Sequence, residues 1–140
     1  MPAKDIYHDS FVHALQKDGW TLTHDPLTVT VEDTRVMVDV GAERVVAAER
    51  GEERIAVEIK SFVSLSAVQD LKEAAGQFWL YDLALKESGS EADRILFLAI
   101  RKDVYDSLFV KGIGKLFLRN HGLRLIVFED ENEEILQWIK

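Results

Sequence analysis

Cysteine is absent from this 140-residue chain. That removes disulfides, iron–sulfur clusters and thiol nucleophiles from its chemistry and fits a cytoplasmic setting. No apolar run approaches the ~20 residues that a bilayer crossing takes. The opening, MPAKDIYHDS, also lacks the apolar stretch of a signal peptide. A cytoplasmic protein without a membrane partner is therefore expected. Positive charge is scarce: 17 Lys and Arg face 25 Asp and Glu, for a net −8. Phosphate backbones reward basic surfaces, so the balance cuts against a simple nucleic-acid binder. It leaves room for an acidic nuclease, whose carboxylates hold metal ions that offset the repulsion, or for a basic partner subunit. His8, His13, His24 and His121 lack zinc-ligand spacing, so no histidine metal site is expected. Repeats, low-complexity tracts and linkers are missing too. With 47% hydrophobic residues, the chain is expected to be one domain, residues 1–140, with a substantial core.

What is present alternates between helical and strand patterns. KDIYHDSFVHALQKDG spaces its apolar residues as an amphipathic helix does, and Gly19 ends it. WTLTHDP begins as a strand and stops at the turn signal Asp25-Pro26. LTVTV and RVMVDVG read as strands, and RVVAAERGEERIAVEIKSF as a hairpin turning around Arg50-Gly51-Glu52. Both arms of that hairpin are apolar enough to sit at the centre of a sheet. SLSAVQDLKEAAGQFWLYDLALKES is the longest helical pattern, with Ser64 or Ser66 as its N-cap. RILFLAI is a buried strand; KDVYDSLF and KGIGKLFLRNHG are short helices ending at Gly122. GIGK is too short for a phosphate loop and lacks its Ser or Thr, so it reads as a helix break. LRLIVFED and EILQWIK close the chain as two strands joined by a solvated acidic turn, with Trp138 anchored in the sheet. The order predicts an α/β (α+β) fold with a mixed central sheet flanked by helices.

IAVEIKSF carries the chemical question. Strand side chains alternate, so Glu58 and Lys60 share one face of an otherwise apolar strand. Asp39 sits inside another apolar strand, and a buried carboxylate needs a partner or a metal. With the hairpin turn near Gly51, positions 43 to 45 fall opposite about 58 to 60. That brings Glu43 near the pair unless the register slips by one residue. On the following helix Gln77 and Tyr81 are four apart and share a face. Phe78 and Trp79 beside them read as helix core, and Glu49, close to the turn, as solvated. Carboxylates holding Mg²⁺ or Mn²⁺ beside a lysine are what phosphodiester hydrolysis needs: the hard cation takes oxygen ligands and acidifies a bound water.

Asp39 followed by Glu58-Ile59-Lys60 on the second hairpin arm resembles the PD-(D/E)XK nuclease superfamily. QFWLY, Gln77 to Tyr81, looks like the Q-x-x-x-Y element of its RecB-like members. KDGWTLTHDPLT, VDVGAERVVAAERG, IAVEIKSF, GQFWLYDLAL and ILQWI together are similar to the XisH family, the fdxN element excision controlling factors of cyanobacteria. They span nearly the whole chain. The resemblance implies a restriction-endonuclease-like fold, Asp39 and Glu58 as metal ligands, and Lys60 as the catalytic lysine. Gln77 and Tyr81 would line the site or contact DNA. His8 or Asp9 stands where some resolvase-like members place an extra acid. Val38 replaces the proline of the motif, and because Asp39 lies 19 positions before Glu58, Glu43 competes for the role of first acid.

The family is tied to programmed excision of a DNA element in heterocysts, beside a site-specific recombinase and a small companion protein, XisI. Two functions stay in view. One is a Mg²⁺-dependent endonuclease acting on DNA, for which cutting both strands of a duplex would suit a homodimer. The other is a non-catalytic excision factor working through DNA or a partner protein, which the −8 charge favours.

Overall fold

The computed structural model describes residues 6–32, 34–36 and 44–140. In chain order the elements are α1 (His8–Lys17), β1 (Thr21–His24), β2 (Val29–Val31), β3 (Thr34–Val36), β4 (Arg44–Arg50) and β5 (Glu53–Ile59). They continue with α2 (Ala67–Glu87), β6 (Ile95–Arg101), α3 (Lys102–Val104), a π-helical turn (Tyr105–Phe109), α4 (Gly112–His121), β7 (Leu125–Glu129) and β8 (Glu134–Ile139). Six strands form one mixed sheet in the order β1-β4-β5-β6-β7-β8, and β2 and β3 pair as a separate ribbon. This is the mixed sheet with helices that the sequence pattern predicts.

The β4–β5 hairpin places Val45 opposite Glu58 and Arg44 opposite Ile59, the register expected from the turn at Gly51. Gly51 adopts φ +61°, a conformation glycine takes without a Cβ penalty. From β5 the chain crosses through α2 and returns as β6, parallel to β5, while β7 runs parallel to β6. Three adjacent parallel strands, β5, β6 and β7, therefore occupy the middle of the sheet. Their near-continuous apolar sequences follow from burial on both faces.

Alternation sorts those strands between two cores. Ala56, Leu96, Leu98, Ile100, Leu125 and Val127 face α2, where they meet Leu71, Ala74, Phe78 and Leu85. Val57, Ile59, Phe97, Ala99, Ile126 and Phe128 face α1, where Phe11 sets its ring edge-on to Phe128 at 5.2 Å. Leu27 and Val29 bring the β2–β3 ribbon onto the α2 side. Burying a Leu, Val or Phe contributes roughly 1.5–3 kcal/mol each, so these two layers are what holds the sheet between its helices.

Local signals also hold. Ser66, one of the two candidate caps, accepts a hydrogen bond from the Gln69 amide at 3.1 Å and starts α2. Trp138 is half-buried against Trp20 and Phe97, with ring centroids at 5.6 and 5.1 Å. KDVYDSLF, expected within one or two short helices, forms a short helical turn that widens into the π turn. One expectation needs correcting. Trp79 is not core: it is 43% exposed and stacks on Phe117 of α4 at 5.6 Å. Neighbouring helix positions point about 100° apart, so only Phe78 of the pair faces the sheet. Gly114, in the first turn of α4, packs on the π turn, where a Cβ would come within 1.8 Å of the Leu108 carbonyl oxygen. Among the described residues no helix is long and apolar enough to cross a membrane.

Candidate functional site

Glu58 and Lys60 lie at the carboxyl end of β5, in the middle of the sheet. They share the face of Ala56, which is the face covered by α2. Glu58 is fully buried, and Lys60 is 8% exposed with its amide donating to the Ala99 carbonyl at 3.2 Å. The pair thus continues the central ladder rather than leaving it. Ligand sites in open parallel sheets collect at this end of the strands, because the connections fan out there and leave a crevice.

Helix α2 supplies the opposite wall. The Lys60 ammonium donates to Glu73 Oε2 at 3.3 Å, and Gln69 Nε2 lies 3.5 Å from the other Glu73 oxygen. One turn on, Gln77 is half-buried, and its Oε1 has no hydrogen-bond partner among the described residues. Tyr81, a further turn along, is 5% exposed and packs in the α2-side core. Glu73, Gln77 and Tyr81 follow at steps of four, so one helical face presents all three. The sequence reading missed Glu73. Its place one turn before Gln77 was the available signal, but an exposed helical glutamate looks like any solvated charge. Asp70 was missed as well: it is buried, and its Oδ2 accepts the Ser64 amide at 3.2 Å, fixing the loop that leaves the site.

The start of α1 reaches the same end of the sheet. Arg101, closing β6, donates to the Ser61 carbonyl at 2.8 Å and sets its guanidinium 4.1 Å above the Tyr7 ring. Next to Tyr7, His8 is buried, with Nδ1 3.0 Å from Asp9 Oδ1 and Nε2 3.0 Å from Asp25 Oδ1. Through Tyr7 and Arg101 the start of α1, with His8 and Asp9, is tied to the chain just past Lys60. Phe62, just past Lys60, packs edge-on to Phe109 at 6.3 Å, tying the π turn and α4 to this end.

Charges around the site are largely matched. Arg101 donates to both oxygens of Asp103, at 2.9 and 2.7 Å, and Lys102 donates to Asp106 at 2.5 Å. Hydrogen bonding to Asp106 raises the Lys102 ammonium above its ordinary pKa. On α4, Lys115 and Arg119 are exposed and four residues apart, which puts them on one helical face. Glu49, expected to be solvated, instead joins an ion-pair network at the other end of β5, 3.1 Å from Arg54 and 3.5 Å from Arg94.

Asp39 and Glu43, the two candidates for first acid, lie outside the described residues. Among the described residues no group of three His, Cys, Asp or Glu is placed to hold a metal ion. Carboxylate and amide oxygens are the right donors for a hard divalent cation, and Glu58 and Gln77 supply one of each.

Comparison with known proteins bears on the whole chain. The family model described as XisH protein matches residues 1–136. The crystal structure of an XisH family protein from Nostoc punctiforme PCC 73102 is 36% identical, with a TM-score of 0.86 over 97% of this chain and 100% of that one. The crystal structure of a fdxN element excision controlling factor protein from Anabaena variabilis is also 36% identical, with a TM-score of 0.87 over 98% of this chain and 100% of that one. No curated protein matches.

Proposed function

The chain belongs to the XisH family, and from that premise we propose that it is a DNA-processing factor acting in the excision of a DNA element through a Mg²⁺-dependent phosphodiesterase site. The observation that carries the chemical half is the fully buried carboxylate of Glu58 at the carboxyl end of a central strand. It lies beside a nearly buried lysine whose ammonium is oriented by Glu73. Taking such charges out of water costs several kcal/mol each, and a binding site is where that cost is recovered. The excision half rests on the Anabaena variabilis relative, a fdxN element excision controlling factor protein.

Glu58 would hold the metal together with Asp39 or Glu43. Bound there, Mg²⁺ supplies a more acidic water and a polarised phosphate. Lys60 keeps a proton on Nζ and donates it as a hydrogen bond to a non-bridging phosphate oxygen, where charge builds as the water attacks. Glu73 limits the rotamers of Lys60, so little ordering is left for the moment of reaction. The Gln77 amide would orient the attacking water or a phosphate oxygen, and Tyr81 buttresses it from the core. The exposed Lys115 and Arg119 of α4, with Lys111 just before the helix, offer contacts for the phosphate backbone outside the site.

A second reading is specifically favoured by the net charge of −8 and by the matching of Arg101 and Lys102 with Asp103 and Asp106. In it, the protein controls a site-specific recombinase through a companion protein of the XisI kind and cuts nothing itself. Calorimetry with Mg²⁺ and Mn²⁺ on wild type and Glu58→Gln, followed by a nicking assay on the same samples, separates the two. Metal binding lost in the variant, with nicking by wild type, is the result expected. Metal binding without nicking selects the accessory role, and no binding at millimolar metal overturns the phosphodiesterase site.

A further inference from the structure

Acidic residues run through the whole chain with one long interruption: no Asp or Glu stands between Asp106 and Glu129. That stretch carries Lys111, Lys115, Arg119 and Arg124. Arg124 is held within the fold, 3.1 Å from Asp82. Lys111, Lys115 and Arg119 are exposed, and no acid among the described residues pairs with them. A protein of net charge −8 thus presents, along α4, a surface of the opposite sign. Neighbouring cations repel one another, and an anion seated between them relieves that repulsion.

Two of these cations edge a recess. Tyr105, Phe109 and Val110, in the π turn and just past it, form one wall. Lys115, Leu118 and Arg119 of α4 form the other, around a cavity of about 400 Å³. That volume lies within the range of small-ligand pockets. Positions 115, 118 and 119 are three and four apart, so one face of α4 carries both charges and the leucine. Gly114 sets how closely the two walls approach, because a Cβ there would strike the Leu108 carbonyl oxygen. The recess also adjoins the candidate site: Phe109, almost fully buried, packs edge-on to Phe62, two residues past Lys60.

Apolar walls with cations at the rim suit a ligand that is flat and apolar at one end and anionic at the other. A bare phosphate would leave Tyr105 and Leu118 unused. The bases of an intact duplex are paired and stacked inside it, out of reach of a recess in a protein surface. An unpaired nucleotide offers both parts, a π face and a phosphate. We propose that the groove between the π turn and α4 takes an unpaired nucleotide of a DNA strand, its base against Tyr105 and Leu118 and its phosphate on Lys115 and Arg119. This deepens the proposed function and rests on it for the choice of DNA; the preferred substrate becomes single-stranded or locally opened DNA.

Fluorescence anisotropy of a short labelled oligothymidylate is the experiment, run in EDTA so that metal-dependent cleavage is off. Binding and nicking then succeed or fail separately. Wild type should bind this strand about tenfold more tightly than an abasic strand of equal length. Tyr105→Leu, which keeps an apolar side chain but removes the ring, should abolish that preference and leave the abasic strand bound as before. Lys115→Gln and Arg119→Gln, both at exposed positions, should weaken both strands. Each should also flatten the slope of log affinity against log salt by about 0.7. Thermal melts check that the variants are folded, and the comparison of the two strands on wild type needs no variant. Equal affinity for the two strands, or binding to neither, overturns the proposal. A duplex of the same length bound as tightly as the single strand overturns it in favour of backbone contacts alone. Displacement of the strand by polyglutamate at equal charge overturns it in favour of an acidic peptide.

Discussion

Arg54 and Lys60 stand at opposite ends of β5 on the same face, and their surroundings differ in kind. At the amino end Arg54 meets Glu49 at 3.1 Å and Glu91 at 3.4 Å, and is also bound to Asp93. That hydrogen bonding with Glu49, and the nearby Asp93 and Glu91, hold its guanidinium above the ordinary pKa. Beside it Arg94, whose side chain is completely buried, is bound to Glu91 and donates to the Ile55 and Ala48 carbonyls at 3.1 and 3.4 Å. Every cation there is matched by fixed acceptors, so the network staples the loop after α2 to the sheet. At the carboxyl end the Lys60 ammonium meets Glu73, a carboxylate half in water, and one turn along α2 the Gln77 amide oxygen has no hydrogen-bond partner among the described residues. One end is closed by a fixed ion-pair network; the other is where the proposed site lies.

The largest effect that could break this comparison is at Arg94. Replacing it with Met leaves Glu91 and two carbonyls without their donor, and should cost about 3–5 kcal/mol of stability by urea unfolding. If the loss is under about 1 kcal/mol, the amino end is not the staple described. Next in size, Lys60→Met should slow nicking about 10²–10³-fold while metal binding by calorimetry persists. A variant that loses both would mean that Lys60 organises the site rather than acting in it. Glu58→Gln should change stability by no more than about 1 kcal/mol, because a carboxylate kept for a ligand adds little to folding. The rise in melting temperature that Mg²⁺ gives wild type should vanish in it. Stability loss matching Arg94→Met would make both ends structural. Smallest of all, Glu73→Gln breaks a half-exposed pair and should cost less than about 1 kcal/mol. Its informative readout is the pH profile of nicking, which should shift if Glu73 sets the charge state of Lys60 and stay fixed if it only packs.

Much of this was legible in one dimension. Alternation placed Glu58 with Lys60, the turn at Gly51 fixed Val45 opposite Glu58, and Ser66 announced α2. Period and turn chemistry are local, so a sequence displays them directly. Partner choice was not legible. Glu49 and Glu73 are both acids that composition would leave to solvent, yet one is drawn into the Arg54–Arg94 network and the other orients Lys60. Phe78 and Trp79 are adjacent aromatics, and only the rotation of α2 against the sheet decides that one is core and the other surface.

By itself, then, the sequence determined the strand and helix order, the sheet-centre hairpin and the pairing of Glu58 with Lys60, since each follows from spacing along the chain. The tertiary structure alone decided that the amino end of β5 is sealed by the Arg54–Arg94 network. It also brought Glu73 to Lys60 and turned Trp79, Leu80 and Leu83 outward. Those outcomes depend on which residues distant in sequence share a face, and side-chain burial settles that only when the layers close.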